Sequence, residues 1–176
     1  MSDTDLTRIS LLVTATLLNL AAVLSGRGSF LHIVAVLMTL VYVALPACLV
    51  AAVAWLLRRR HHRLAAVARG FSMVAIVAGS TVISGFLGVV VAKHDVARAQ
   101  QHCEALLPAL DRYHAQHGQY PATLALVGAP RPPWLLRDGT YYRSDGATFA
   151  FSFTDPAAMM GGFRLDAAER QWQYED

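Results

Sequence analysis

The sequence predicts an α+β membrane protein in which three transmembrane helices precede an extracytoplasmic domain. That domain is expected to consist of one long helix packed on a four-stranded antiparallel β-meander. The chain is 55% hydrophobic and only 15% charged, which is a membrane composition. The apolar residues of the first half lie in long runs, whereas those of the second half follow a helical stripe and then alternate with polar residues.

Three apolar runs are long enough to span a hydrocarbon layer about 30 Å thick, which takes about 20 residues. They lie at about 9–25, 30–57 and 71–92. The second run is long enough to tilt, or to bend at Pro46. No basic n-region of a cleavable signal peptide precedes the first run, so we expect a retained helix there. Residues 1–92 are therefore predicted to form the transmembrane region, and residues 93–176 a separate domain.

Basic residues cluster in one predicted loop, 58–70, between the second and third runs. It carries Arg58, Arg59, Arg60, Arg63 and Arg69. Membrane proteins retain such loops in the cytoplasm, whereas the turn between the first two runs carries only Arg27. The pattern predicts a cytoplasmic N-terminus and an exported second domain. In a bacterium, these correspond to an inner-membrane protein with a periplasmic domain.

The basic excess of the chain belongs to its membrane half. Residues 1–92 carry seven Arg and two Asp, while residues 93–176 carry eight basic and ten acidic side chains. Because the polar half has no basic stripe interleaved with aromatic residues, the sequence does not predict nucleic-acid binding. The partners that it predicts are the lipid bilayer and a membrane or periplasmic protein.

Small residues recur every four positions in the third run, at Ser80, Ser84 and Gly88. Small side chains at this spacing let two helix backbones approach closely in lipid. We expect this face to pack against another helix. A helix of the same chain is favoured over a helix of another protein.

The apolar stripe continues beyond the third run, with positions three or four residues apart: Val96, Ala99, Cys103, Leu106, Leu110 and Tyr113. This spacing predicts one face of a helix, and Gly118 followed by Pro121 is typical of a helix end. Four short aromatic segments follow, TYYRS, ATFAFSF, GFRLD and RQWQY. Their alternation of apolar and polar residues indicates half-buried strands. The helix is therefore expected to cover the apolar face of a meander.

A Gly-Phe junction follows basic residues at Gly70 and Phe71, and a membrane helix then runs into the amphipathic stem. The stem ends in a distinctive set of residues, Tyr113, Gly118, Tyr120, Pro121 and Leu124. With these features, residues 69–176 resemble a type IV pilin or a type II secretion pseudopilin. In that family the last stretch ends the stem and locks it to the loop before the sheet, and the Gly-Phe junction is a processing site.

Two features depart from that family. The fifth residue after the glycine is Ala75, where the family carries a glutamate that helps to register subunits during assembly. Two predicted spans also precede Gly70, where the family has a short leader. The resemblance thus implies a pilin-like domain on an unprocessed three-helix anchor, with processing at Gly70 as the alternative.

The chain contains no nucleophile elbow, phosphate-binding glycine loop, HExxH or CxxC. We therefore expect a non-enzymatic interaction or assembly component without a cofactor, accessory to a pilus or a type II secretion system. The alternative is a membrane-anchored periplasmic sensor or binding module for a ligand or a metal. Its weak candidate metal ligands are Asp111, His114 and His117, although a solvated helix flank explains the same spacing.

Two loops of the polar half carry large apolar residues. Met159 and Met160 are expected in a hairpin connection, where burial against the sheet edge is favoured over an exposed contact surface for a partner. Trp134, in APRPPWLL, is expected to anchor an extended loop.

Overall fold

The computed structural model describes residues 3–57 and 63–176. The chain divides into two compact units, Met1–Val90 and Val91–Asp176. The first unit is helical, and the second combines a helix with a four-stranded sheet. One long helix, Arg63–His117, contributes residues to both units.

The first unit is built from helices that are connected by short segments. They are α1 (Asp3–Gly26), α2 (Phe30–Thr39), α3 (Leu45–Leu57) and the first part of α4 (Arg63–His117). Helix α2 begins with a side-chain cap, since the hydroxyl of Ser29 accepts a 3.4 Å hydrogen bond from the N–H of His32. Such a cap satisfies one of the free N–H groups of the first helical turn.

A π-helical segment, Leu40–Ala44, connects α2 to α3 just before Pro46. Proline has no N–H, so the carbonyl of Tyr42 lacks the donor that it would normally find four residues further on. The N–H of Leu45 bonds to the carbonyl of Leu40, five residues back. The wider turn is thus the local adjustment that accompanies the proline.

Two helical stretches are long and apolar enough to cross a membrane, Phe30–Leu57 and Leu64–His117. The described apolar part of α1, Val13–Gly26, is shorter. Large apolar side chains on the long stretches are exposed, among them Leu49 at 67% and Phe86 at 72%. Since a helix in the core of a soluble protein buries such side chains, this surface is compatible with a membrane protein.

The structure differs from the prediction in the loop 58–70, because residues 63–70 belong to a helix. Helix α4 begins at Arg63 and continues to His117, so residues 63–70 are helical and the span and the stem form one element. The reason is local: Leu64 and the alanines that follow it are strong helix formers. Helix α1 begins at Asp3, ahead of the apolar run at about 9–25. The topology residues Arg58, Arg59 and Arg60 lie outside the described part of the chain.

The second unit contains the predicted four-stranded antiparallel meander. Its strands are β1 (Tyr142–Ser144), β2 (Phe149–Thr154), β3 (Gly162–Asp166) and β4 (Trp172–Glu175), arranged in the order β1-β2-β3-β4. Phe151 of β2 pairs with Tyr142 on one side and with Leu165 on the other. Two short 3₁₀-helices, Leu124–Val127 and Trp134–Leu136, lie between α4 and the sheet.

The core of the second unit lies between α4 and one face of the sheet. The helix contributes residues that are at most 3% exposed, Ala99, Cys103, Leu106 and Leu110. Strand β2 contributes the three alternating phenylalanines, Phe149, Phe151 and Phe153, which are at most 9% exposed. All seven belong to one buried cluster, so the helical stripe and the apolar strand face that the sequence predicts meet each other.

Met159 and Met160 lie in the connection between β2 and β3, as predicted, but the expectation that they are buried is wrong. Met159 and Met160 are 73% and 78% exposed. Their connection extends past the last β2–β3 pair, Thr154 with Gly162, so it lies beyond the paired part of these two strands. Leu136, which is fully buried, anchors the loop in which Trp134 is 47% exposed.

Truncation of Leu110 to alanine should destabilise the second unit. The side chain is fully buried against the sheet, and Leu→Ala at such sites costs about 2–5 kcal/mol of unfolding free energy. The matched substitution Leu126→Ala, at a side chain that is 58% exposed, should cost less than about 0.5 kcal/mol. Denaturant unfolding of the full-length protein in detergent, followed by tryptophan fluorescence, measures both. Equal costs would contradict the assignment of the core.

Candidate functional site

The predicted small-residue face of α4 contacts α1 and α2 of the same unit. The side-chain amide of Asn19, in α1, donates a 2.7 Å hydrogen bond to the hydroxyl of Ser80. The Nε2 atom of His32, in α2, lies 3.5 Å from the hydroxyl of Ser84. Ser84 is 2% exposed and His32 8%. Two polar contacts therefore connect three helices within one chain.

Glycines let the turn between α1 and α2 touch the backbone of α4. Gly28 has a φ of 73°, and a Cβ at this residue would lie 2.0 Å from the carbonyl oxygen of Gly88. A Cβ on Gly88 would lie 3.0 Å from the Cα of Gly28. Neither residue has room for a side chain, so the small residues of α4 serve packing within this unit.

Sequence analysis missed the partners of this face. Asn19 and His32 are isolated polar residues within apolar stretches, and polar residues in membrane helices commonly bond to a neighbouring helix. That signal indicated a contact, but the spacing within one helix did not identify which residue of another helix would meet it.

The stem signature lies where α4 ends. Gly118 has a φ of 72°, and its N–H donates a 2.8 Å hydrogen bond to the carbonyl of His114. This left-handed residue is a common helix terminator. The ring of His114 stacks on that of Tyr120 at 4.4 Å, and the ring of Tyr113 stacks on that of His117 at 4.1 Å.

The chain after α4 is then fixed to the sheet. The N–H of Tyr120 donates to the carbonyl of Gly146, and the hydroxyl of Tyr142 donates to the carbonyl of Pro121, both at 2.8 Å. Pro121 is fully buried, and Leu124 begins the 3₁₀-helix that packs against the core. The signature residues thus connect the end of the helix to β1 and to the β1–β2 turn.

The three candidate metal ligands have separate partners. The carboxylate of Asp111 accepts two hydrogen bonds from Arg170, at 2.9 and 2.6 Å, and these bonds lower the pKa of Asp111. His114 and His117 stack on tyrosines. Among residues 3–57 and 63–176, no group of three His, Cys, Asp or Glu side chains is arranged to hold a metal ion.

Cys103 is a packing residue. Its side chain is fully buried, and burial, followed by the nearby carboxylate of Glu104, raises the pKa of the thiol to about 12. A thiol that stays protonated at neutral pH is a poor nucleophile and a poor metal ligand. Burial also lowers the pKa of the adjacent His102.

The outward face of the sheet carries an open cleft of about 420 Å³. Its lining is polar and of mixed charge, with Arg143, Asp145, Ser152, Arg164, Asp166 and Glu175 among its residues. The guanidinium of Arg164 lies 3.1 Å from the carboxylate of Asp166 and 3.7 Å from that of Glu175. The face therefore exposes positive and negative side chains that are already paired with one another.

The Gly70–Phe71 junction lies inside α4. A Cβ on Gly70 would meet no atom within 4 Å, and Phe71 is 39% exposed. Arg63 is the first residue of the helix, and the Nε of Arg69 donates to the carbonyl of Ala65 at 3.3 Å. Proteolysis at this junction would require local unwinding of the helix.

Comparisons of the chain with protein-family models, with curated proteins and with solved structures found no match.

Substitution of Gly28 by alanine should destabilise the first unit. A β-carbon costs about 1–2 kcal/mol at a positive φ, and here it would also collide with the carbonyl of Gly88. The control Gly70→Ala places the same group in open space on a helix, where alanine is favoured by about 1 kcal/mol. Unfolding in mixed detergent and dodecyl sulfate micelles, followed by circular dichroism, compares the two. If both variants unfold like the parent protein, the close contact does not exist.

Proposed function

We propose that this chain is a bacterial inner-membrane protein whose periplasmic domain binds another protein, as an interaction or assembly component. The proposed protein has three spans, which are α1, the α2–α3 stretch and residues 71–92 of α4. Its N-terminus is cytoplasmic. One observation carries the proposal. Helix α4 is a single helix of 55 residues that holds both the apolar stretch and the buried stripe of the second unit.

The exposed apolar surface supports the membrane location. Leu31, Leu56 and Ile83 are all more than 60% exposed, and water would penalise such surface by roughly 25 cal/mol per Å². The contacts from Asn19 to Ser80 and from the Nε2 atom of His32 to Ser84 pair polar groups of different helices, as is common in lipid. A bilayer accounts for both features together.

The second unit supports a binding role. Its polar cleft is open and lies on the sheet face opposite α4, where exposed groups such as Ser152 and Gln173 are accessible. The buried thiol of Cys103 and the separate partners of Asp111, His114 and His117 offer little to a metal or to covalent chemistry. These observations favour protein binding over the alternative, a metal sensor.

We further propose a role accessory to a pilus or a type II secretion system. The support is the way in which Tyr120 and Pro121 connect the end of α4 to the sheet, as the resemblance to pilins implies. Ala75, where that family carries a carboxylate, lacks the charge that registers subunits in a filament. The proposal is therefore of an accessory component and not of a filament subunit.

Cysteine labelling tests the topology. In a Cys48→Ala background, Ala168→Cys, in the exposed turn between β3 and β4, should react with a membrane-impermeant maleimide in intact cells. Ala66→Cys, exposed on α4 before the span, should react only after the inner membrane is permeabilised. The remaining Cys103 is fully buried. Labelling of Ala66→Cys but not of Ala168→Cys in intact cells would reverse the orientation.

Site-specific photocrosslinking in the native host tests the binding role. A photoreactive residue at Ser152, on the outward sheet face, should give one discrete adduct with another protein. The same residue at Arg112, which is exposed on α4, should give none. Identical adduct patterns at the two positions, or no adduct at either, would contradict binding through the sheet face.

A further inference from the structure

The connection between β2 and β3 exposes two large apolar side chains on a polar domain. Met159 and Met160 are 73% and 78% exposed, although methionine is usually buried. The segment from residue 155 to residue 161, DPAAMMG, contains no Lys or Arg. Its one charged side chain, Asp155, accepts a 2.9 Å hydrogen bond from the N–H of Ala157 within the loop.

The contacts of β4 define the direction of the sheet along α4. Arg170, just before β4, binds Asp111, and the indole N–H of Trp172 donates a 2.9 Å hydrogen bond to Glu104. Higher residue numbers in β4 therefore correspond to lower residue numbers in α4. Beyond Trp172, the strand continues toward the Val91 end of this part of the helix.

The methionine loop lies at that same end of the sheet. Gly162 of β3 pairs with Glu175 at the end of β4. A Cβ on Gly161 would lie 2.6 Å from the hydroxyl oxygen of Tyr174. The loop that carries Met159 and Met160 therefore extends past Tyr174, toward the residues where α4 leaves its apolar stretch.

The distance from Glu104 to Lys93 along α4 can be compared with the length of β4 beyond Trp172. The eleven residues from Glu104 back to Lys93 rise about 16 Å along a helix. The strand from Trp172 to Glu175 covers about 10 Å, and the loop projects beyond its end. The loop continues from the end of this strand in the direction of Lys93, where the apolar stretch ends.

We propose that Met159 and Met160 contact the lipid surface and insert into the interfacial layer of the bilayer beside α4. Because the loop has no cationic side chain, insertion depends on apolar contact rather than on anionic lipids. Flexible thioether side chains suit the irregular boundary between head groups and acyl chains. The inference rests on the proposed anchoring of α4 in the membrane. It adds a second point of contact that would fix the orientation of the domain above the bilayer.

Fluorescence quenching by lipids tests the contact. Each variant carries one introduced cysteine in full-length protein with Cys48→Ala, in which the remaining Cys103 is fully buried. The introduced cysteine is labelled with an environment-sensitive fluorophore, and the protein is reconstituted in phosphatidylcholine vesicles. A fraction of the lipids carries a nitroxide on the acyl chain close to the head group. The sites are Met160→Cys, Ala168→Cys in the exposed turn at the opposite end of the sheet, and Leu87→Cys, which is 53% exposed on α4.

Fluorescence at residues 87 and 160 should fall at least about twofold on addition of nitroxide lipid, since an apolar side chain that inserts lies within the interfacial layer, whereas residue 168 should be unaffected. If residue 87 is quenched and residue 160 behaves like residue 168, the loop does not contact lipid, although the anchoring of α4 stands. If residue 87 is not quenched, the proposed anchoring fails and the inference fails with it.

Discussion

The packing of α4 against the four-stranded sheet is the contact on which the second unit depends. A sheet with one apolar face must bury that face against another element, and a domain of this size buries a comparatively small fraction of its surface. Ala99 and Cys103 have small side chains, so the helix can approach the ring layer of Phe149, Phe151 and Phe153 closely. The polar contacts at the rim, from Arg170 to Asp111 and from Trp172 to Glu104, then fix the position of the sheet along the helix.

The same helix relies on a different kind of packing in the first unit. In lipid the hydrophobic effect does not drive helices together, so close approach and hydrogen bonds must do so. The residues of α4 that face α1 and α2 are accordingly Ser80, Ser84 and Gly88, whereas those that face the sheet include Leu106 and Leu110. Along one helix the contact residues thus change from small side chains, which meet α1 and α2, to large apolar side chains, which meet the sheet.

Periodic features of the fold could be predicted from the sequence, because periodicity records which face of an element is buried. Two such features are the helical stripe through Cys103 and Leu110 and the alternation of apolar and polar residues in β2. The structure contains both. Features that depend on distant partners could not be predicted. One is the left-handed conformation of Arg170, at a φ of 53°, because the side chain of Arg170 binds Asp111 of α4. Hydropathy also placed a boundary at Phe71, because it detects the edge of an apolar run and not the end of a helix.

The histidines and acids of the stem show why spacing along one helix does not define a metal site. Residues three apart can bring two ligands together, but a metal site needs a third ligand from a second element. The second element here supplies Arg170, a cation, which neutralises Asp111 and positions the β3–β4 turn.

On the outward sheet face, Arg164 lies close to both Asp166 and Glu175. Binding at a face whose charges already neutralise one another gains little from net attraction, so any partner must be selected by the arrangement of its charges and hydrogen bonds.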